Sequence, residues 1–203
     1  MERYMITHSL LSSWLYAMKD NPYEDATTER DPYADFLKTL NREPTETTEA
    51  MQNGIDFEDL VTAILKGNAN PENKWYEAAV NVAKRIRGGI LQCRASKDIE
   101  VSGMNILLYG RLDALLAGVI YDIKFSKSYD VGKYIDSTQH PTYFELLPEA
   151  KEFTYLVSNG TNVWPETYRR DESQDIKVII ADFLSWLSAQ GLLELYKEKW
   201  LAK

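Results

Sequence analysis

Apolar residues recur every three to four positions up to Cys93, and then begin to alternate in short runs. That change of period separates a helical front section from a sheet-forming middle. The opening segment, THSLLSSWLYAMKD, carries its apolar residues at helical spacing and predicts an amphipathic helix opened by Thr7 or Ser9. Residues 21–53 are polar and acidic, NPYEDATTERDPY and NREPTETTEA being the loosest parts. Short helices are expected over 34–41 and 47–52, within a peripheral excursion that is not a separate domain. IDFEDLVTAILKG reads as a helix stopped by Gly67. KWYEAAVNVAKRIRGGILQC reads as a second one, with Trp75, Ala78, Ala79, Val82, Ala83, Ile86 and Ile90 on a single stripe.

Three strands follow, KDIEVSG, NILLYGRLDALLA and GVIYDIKFSK. IDSTQHPTYFELLPEA is expected to be helical from about Asp136 or Ser137, with Pro141 tolerated only in the first turn or at a kink. EFTYLVS and NVWPETYRR form a second hairpin around Asn159-Gly160, and Pro165 places its second arm at a sheet edge. Two helices close the chain: DIKVIIADFLSWLSAQ, stopped by Gly191, and LLELYKEKWLAK. Helices, a sheet and more helices predict an α/β fold of three layers, with a mixed central sheet flanked by helices. The whole of 1–203 reads as one domain without internal repeats.

Composition narrows this picture. A chain of 203 residues with 44% hydrophobic content is long enough for one well-buried core. No run of about 18 apolar residues is present, so no membrane span is expected. The N-terminus lacks the basic start and continuous apolar block of a secretion leader. The lone Cys93 excludes an intrachain disulfide, a cysteine zinc site and an iron–sulfur cluster held by this chain's own thiolates. A cytoplasmic home is expected. With 31 acids against 23 bases the net charge is -8, which argues against a general basic coat for nucleic acid. It leaves open an enzyme whose acids hold metal ions.

Asp113 and Asp122 raise the chemical question, because each sits in an apolar strand-like run. If Ala117-Gly118 is a two-residue turn, Leu116 faces Val119, and stepping outward brings Asp113 opposite Asp122 and Arg111 opposite Lys124. Side chains alternate with period two, so these four residues are expected on one face. Directly opposed side chains stand about 4.5–5.5 Å apart, where like charges destabilise. A proton, a neighbouring cation or a metal must compensate. Two readings stand here: surface acids screened by Arg111 and Lys124, or a site for a hard divalent cation that seeks oxygen ligands.

Other residues extend the second reading without deciding it. On the 55–67 helix, Glu58 falls about 20° from Leu65 at the edge of the apolar stripe, while Asp59 and Lys66 face solvent. Gln139 and Tyr143, four apart, share a helix face. Each also has an ordinary packing explanation. His8 and His140 are read as structural, and Ser12, Ser13 and Cys93 have no local partner that would mark a nucleophile.

In this order, G-x-x-F-E (Gly54, Phe57, Glu58), G-R-L-D (Gly110 to Asp113), D-I-K (Asp122 to Lys124) and Q-x-x-x-Y (Gln139, Tyr143) resemble the PD-(D/E)xK nuclease superfamily, in its RecB-like and phage-type exonuclease branch. The match runs over 54–143, and THSLLSSWL is similar to the helix that begins many such domains. Two departures stand out: Asp122 occupies a position where Glu is common, and the cysteines of the iron–sulfur members are missing.

The resemblance implies a restriction-endonuclease-like core over about 54–170, with extra helices at both ends, the last over about 172–203. It implies that Glu58, Asp113, Asp122 and the Ile123 carbonyl hold one or two magnesium or manganese ions. Lys124 would orient the attacking water and stabilise charge on the phosphate. Gln139 would contact a metal-bound water, the lysine or the nucleic acid, and Tyr143 would support it or touch the substrate. The implied activity is hydrolysis of DNA phosphodiesters, as an exonuclease in phage-type recombination or DNA end processing. An endonuclease with the same site, and a non-catalytic protein that keeps the fold for DNA binding or assembly, are the alternatives. DNA is the expected partner, with a recombination protein or further copies of the chain as others. Lys84, Arg85, Arg87, Lys127 and Lys133 are candidate strand contacts, each equally readable as a solvated base.

Overall fold

Thr7 lends its hydroxyl to the backbone N–H of Leu10 and so opens the first helix, α1 (His8–Met18). The computed structural model describes residues 2–19 and 31–202; the rest of the polar stretch, residues 21–30, lies outside the described residues. Ahead of α1 stands a short strand that the sequence pattern does not signal, β1 (Tyr4–Ile6). α2 (Pro32–Leu40) is capped by Asp31, whose carboxylate accepts from Tyr33 and Ala34 N–H.

The short helix expected over 47–52 and the helix ending at Gly67 are one element, α3 (Glu49–Lys66). Thr48 caps its start through Met51 N–H, and Gly67 ends it at φ 76°, a left-handed conformation that suits glycine. Gly54 is spanned because one interior glycine costs only about 1 kcal/mol. α4 (Tyr76–Ile86) buries Ala78, Ala79, Val82, Ala83 and Ile86. The expected continuation through Ile90 does not occur. Gly88, at φ 86°, turns the chain, and Ile90 starts the next strand with 62% of its surface exposed.

The strands are β2 (Ile90–Val101), β3 (Met104–Leu116), β4 (Val119–Phe125), β5 (Glu152–Ser158) and β6 (Val163–Arg169). β2 runs antiparallel along nearly all of β3. The other edge of β3 is shared: β1 pairs in parallel at residues 106–108, and β4 pairs antiparallel at 114–116. α5 (Gln139–Leu146) then carries the chain over to β5, parallel to β4, with Pro141 in its first turn. β5 and β6 form the expected hairpin, and Pro165 lies on the edge strand β6. α6 (Ile176–Ala189) and α7 (Leu193–Lys199) finish the chain, separated at Gly191.

The mixed sheet therefore lies between two helical layers, as the three-layer reading expects. One layer, α3 and α4, packs Phe57, Val61, Val82 and Ile86 against Leu91, Ala114, Tyr121, Ile123 and Leu156. The other, formed by α1, α2, α5, α6 and α7, covers Ile106, Leu108, Leu112, Ile120, Phe153 and Tyr155. Among the described residues no single helix is long and apolar enough to cross a membrane.

Candidate active site

The β3–β4 hairpin has the register expected from its turn: Leu116 pairs with Val119, Leu115 with Ile120 and Ala114 with Tyr121. Ala117 and Gly118 both have positive φ, 52° and 79°, as a tight turn between twisted strands requires. The ladder stops there. At the next step Asp113 turns its carboxylate into the gap between the strands, where Oδ2 accepts the backbone N–H of Ile123 at 2.7 Å. The side chain has taken the place of a ladder carbonyl, and the strands fork.

Opposite Asp113 on the other side, Gln92 has φ 52° and interrupts the β2–β3 ladder between the Leu91–Ala114 and Cys93–Leu112 pairs. The faces invert across this step. Leu112 lies in the large core and Ala114 in the smaller one, although strand alternation puts residues two apart on the same face. The single-face expectation is corrected accordingly. Asp122 and Lys124 follow Ile120 on the large-core side of β4. Arg111, beside Leu112, is exposed on the opposite side of the sheet.

Three acids meet around the fork, each held by a different donor. Glu58 projects from the buried stripe of α3 and accepts Gln92 Nε2–H. Asp122, 6% exposed, accepts Gln139 Nε2–H on Oδ1. Its Oδ2 lies 2.8 Å from Lys124 Nζ, an ion pair without the alignment of a hydrogen bond. Burial first, then the charges of Asp122 and Glu58, push the Asp113 carboxyl up to about 8; the Ile123 N–H and Lys124 oppose the rise. The three acids are thus close enough to repel.

Lys124 Nζ also stands 5.9 Å over the Tyr155 ring. Tyr134 stacks on that ring at 4.3 Å, and the loop carrying Tyr134 is tied to β6 by Glu166. The Glu166 carboxylate accepts Tyr134 N–H at 3.1 Å and the Tyr168 hydroxyl. Burial works against its charge, yet these bonds, with those from Tyr129 and Gly132, hold the carboxyl below its ordinary range.

Tyr143 supports the site and does not face a substrate. It is 1% exposed, and its hydroxyl donates to the Arg111 carbonyl at 2.6 Å. Its ring also accounts for Gly110, because a Cβ there would stand 2.6 Å from Tyr143 Cε1. Gly54, by contrast, has no atom within 4 Å of where a Cβ would stand.

Two residues that the sequence reading passed over belong here. Gln92 lay inside what looked like a helix, so no strand pattern marked it. His8, read as structural, opens α1 beside the fork. Burial lowers its ring to about 4, with Lys124 adding to the fall and Asp122 opposing it. Its only sequence signal was the Thr7 cap, which fixes where α1 begins.

Of the expected strand contacts, Lys84 and Arg85 are exposed on α4, whose other face is buried, and Arg87 is exposed just after it. Lys127 is exposed after β4. Lys133 braces its own loop, donating to Ser126 Oγ at 2.7 Å and the Ser128 carbonyl at 3.0 Å.

The donor set suits a hard divalent cation. It is all oxygen, and both Asp122 Oδ2 and Gln92 Oε1 are buried without a hydrogen-bond partner. Among the described residues no three His, Cys, Asp or Glu side chains already form a metal cage. Holding an ion at the fork requires Glu58 and Asp113 to exchange their present donors for it.

No family model matches the sequence, and no curated protein does. Among solved structures the chain is similar to one titled "Crystal structure of SSO0001". The TM-score is 0.53 and the identity 17%, over 93% of this chain and 79% of that one. At that identity the likeness bears on the α/β fold alone.

Proposed function

We propose that the chain is a metal-dependent DNA nuclease of the PD-(D/E)xK kind, acting as an exonuclease on DNA ends. The observation that carries this reading is the fork itself. Asp113 sits where β3 and β4 part, with Asp122, Lys124 and Gln139 on one strand side and Glu58 with Gln92 on the other. A fold seldom gathers three mutually repelling carboxylates at one break in a sheet for stability, since burying like charges is costly.

Glu58, Asp113, Asp122 and the Ile123 carbonyl would hold one or two magnesium or manganese ions. Such an ion lowers the pKa of bound water and clamps phosphate oxygens. The chain's own residues do the rest. Lys124, its Nζ 2.8 Å from Asp122, orients the water and steadies negative charge on the phosphate. Gln139 fixes the Asp122 carboxylate by donating to Oδ1. Tyr143 locks the Arg111 backbone, and with it the approach to Asp113.

End-labelled linear duplex, incubated with magnesium or manganese and sized over time, tests the proposal. Mononucleotide release from ends supports the exonuclease. Internal cutting of a closed circle would move the reading to an endonuclease. No cleavage with either metal would leave a nuclease-like fold that only binds.

A further inference from the structure

Arg94 and Arg111 are directly opposed across the β2–β3 ladder. Side chains in that relation share a face with Cβ atoms about 4.5–5.5 Å apart, where two like charges repel. Both are exposed, and among the described residues neither guanidinium has an ion-pair or hydrogen-bond partner. This is conspicuous in a chain of net charge -8, with acids available to neutralise them. Nearby bases find partners: Arg3 holds Asp98 at 3.1 Å, and Lys97 holds Glu145 at 2.6 Å.

The surroundings suit an extended ligand. Alternation puts Arg94, Ser96, Asp98, Tyr109 and Arg111 on the sheet face away from Cys93, Ala95, Leu108 and Leu112, which join the large core. α3 and α4 cover that side only over Leu91, Ala114 and the strands beyond, so this half of the face is open. The Arg94–Arg111 pair lies two steps from Gln92 and Asp113, roughly 7 Å along the ladder. That is close to the spacing of successive phosphates in a nucleic-acid strand.

We propose that Arg94 and Arg111 form a clamp for one backbone phosphate of the DNA strand lying next to the fork. Two guanidiniums presented side by side supply forked donors to an anion that bridges them, and the anion removes their mutual repulsion. This rests on the nuclease reading, and it locates the track of the strand on the open β2–β3 face, apart from the basic residues of α4. The contact reads backbone rather than base, so it is indifferent to sequence.

The test is DNA binding without cleavage, in EDTA, at a series of salt concentrations, comparing wild type with Arg94→Gln/Arg111→Gln. Each lost phosphate contact flattens the slope of log affinity against log salt by about 0.9, so the double variant, which loses one clamped phosphate, is expected to flatten it by about 1. Thermal unfolding at low salt, without DNA, is expected to show the variant at least as stable as wild type. If wild type binds and the slopes coincide, the clamp is wrong and the nuclease reading stands. If the variant is markedly less stable, the pair serves the fold and the clamp is again wrong. If wild type binds no DNA in EDTA, the clamp is wrong, and cleavage of end-labelled duplex with magnesium or manganese decides the nuclease reading separately.

Discussion

The Asp113 carboxylate accepts the Ile123 N–H at 2.7 Å, doing with a side chain what a strand carbonyl does elsewhere in the sheet. One acid thereby both ends the β3–β4 ladder and stands in the opening it creates. Asn in its place keeps an oxygen for the Ile123 N–H and removes a carboxyl whose ionisation is opposed by burial and by the charges of Asp122 and Glu58. Asp113→Asn is expected to raise metal-free stability by about 1 kcal/mol, roughly 2–4 °C in Tm. Wild type is expected to gain Tm with magnesium, and the variant is expected to lose that gain. Differential scanning fluorimetry with and without magnesium checks both; a variant still stabilised by the ion would remove Asp113 from the ligand set.

Lys124→Ala separates chemistry from metal holding. The ammonium touches Asp122 but is no ligand, so the magnesium-induced Tm shift should persist while cleavage falls by about 100-fold or more. Wild-type rates on end-labelled duplex would refute the role given to this lysine.

Gly110→Ala tests the packing behind the site. Its Cβ would fall 2.6 Å from the Tyr143 ring, which is walled in by Phe153 and cannot swing away freely. A loss of about 1–3 kcal/mol in urea unfolding is expected. Tyr143→Phe, which removes only the bond to Arg111, should cost about 1 kcal/mol. If Gly110→Ala is neutral, close contact is not what requires glycine there.

Acid should weaken the fold through His140. Its ring is buried, stacked on Tyr168 at 4.4 Å and bonded to the Tyr155 hydroxyl at 3.2 Å. Burial lowers it to about 4, against the opposing charge of Glu166. The unfolded chain takes up this proton near pH 6.5 and the native state resists until about 4, so stability falls with pH across that window. The His140 contribution is a loss of about 2 kcal/mol between pH 7 and pH 5, read as the difference between wild type and His140→Phe. The difference is needed because His8, also lowered to about 4, adds to the fall in this window and Asp113, raised to about 8, opposes it. Glu166, depressed in the native state, adds a further loss below its ordinary range. Urea midpoints across the window, with His140→Phe flattening the curve, provide the check.

The sequence alone carried the local structure. Apolar spacing marked the helices, Gly67 and Gly191 their ends, and Ala117-Gly118 the register that points Asp113 toward Asp122. It put Glu58 at the core edge of α3 and Gln139 above Tyr143. Periodicity is written in consecutive residues, so it survives without knowledge of the rest of the chain. It also misled once: RIRGGILQC continued a helical stripe on paper, while two glycines and the pull of β3 made a turn and a strand, hiding Gln92.

What only the tertiary structure decided depends on partners distant in the chain. The shared edge of β3, with β1 at one end and β4 at the other, leaves room for the fork. The inversion of faces between Leu112 and Ala114 sent Arg111 away from Lys124 and toward Arg94, against simple alternation. The approach of His8 and the Tyr143 ring beneath Gly110 belong to the same class. Strand alternation is a rule for an unbroken ladder, and the breaks lie at Gln92, whose side chain donates to Glu58 on α3, and at Asp113, whose side chain accepts the Ile123 N–H.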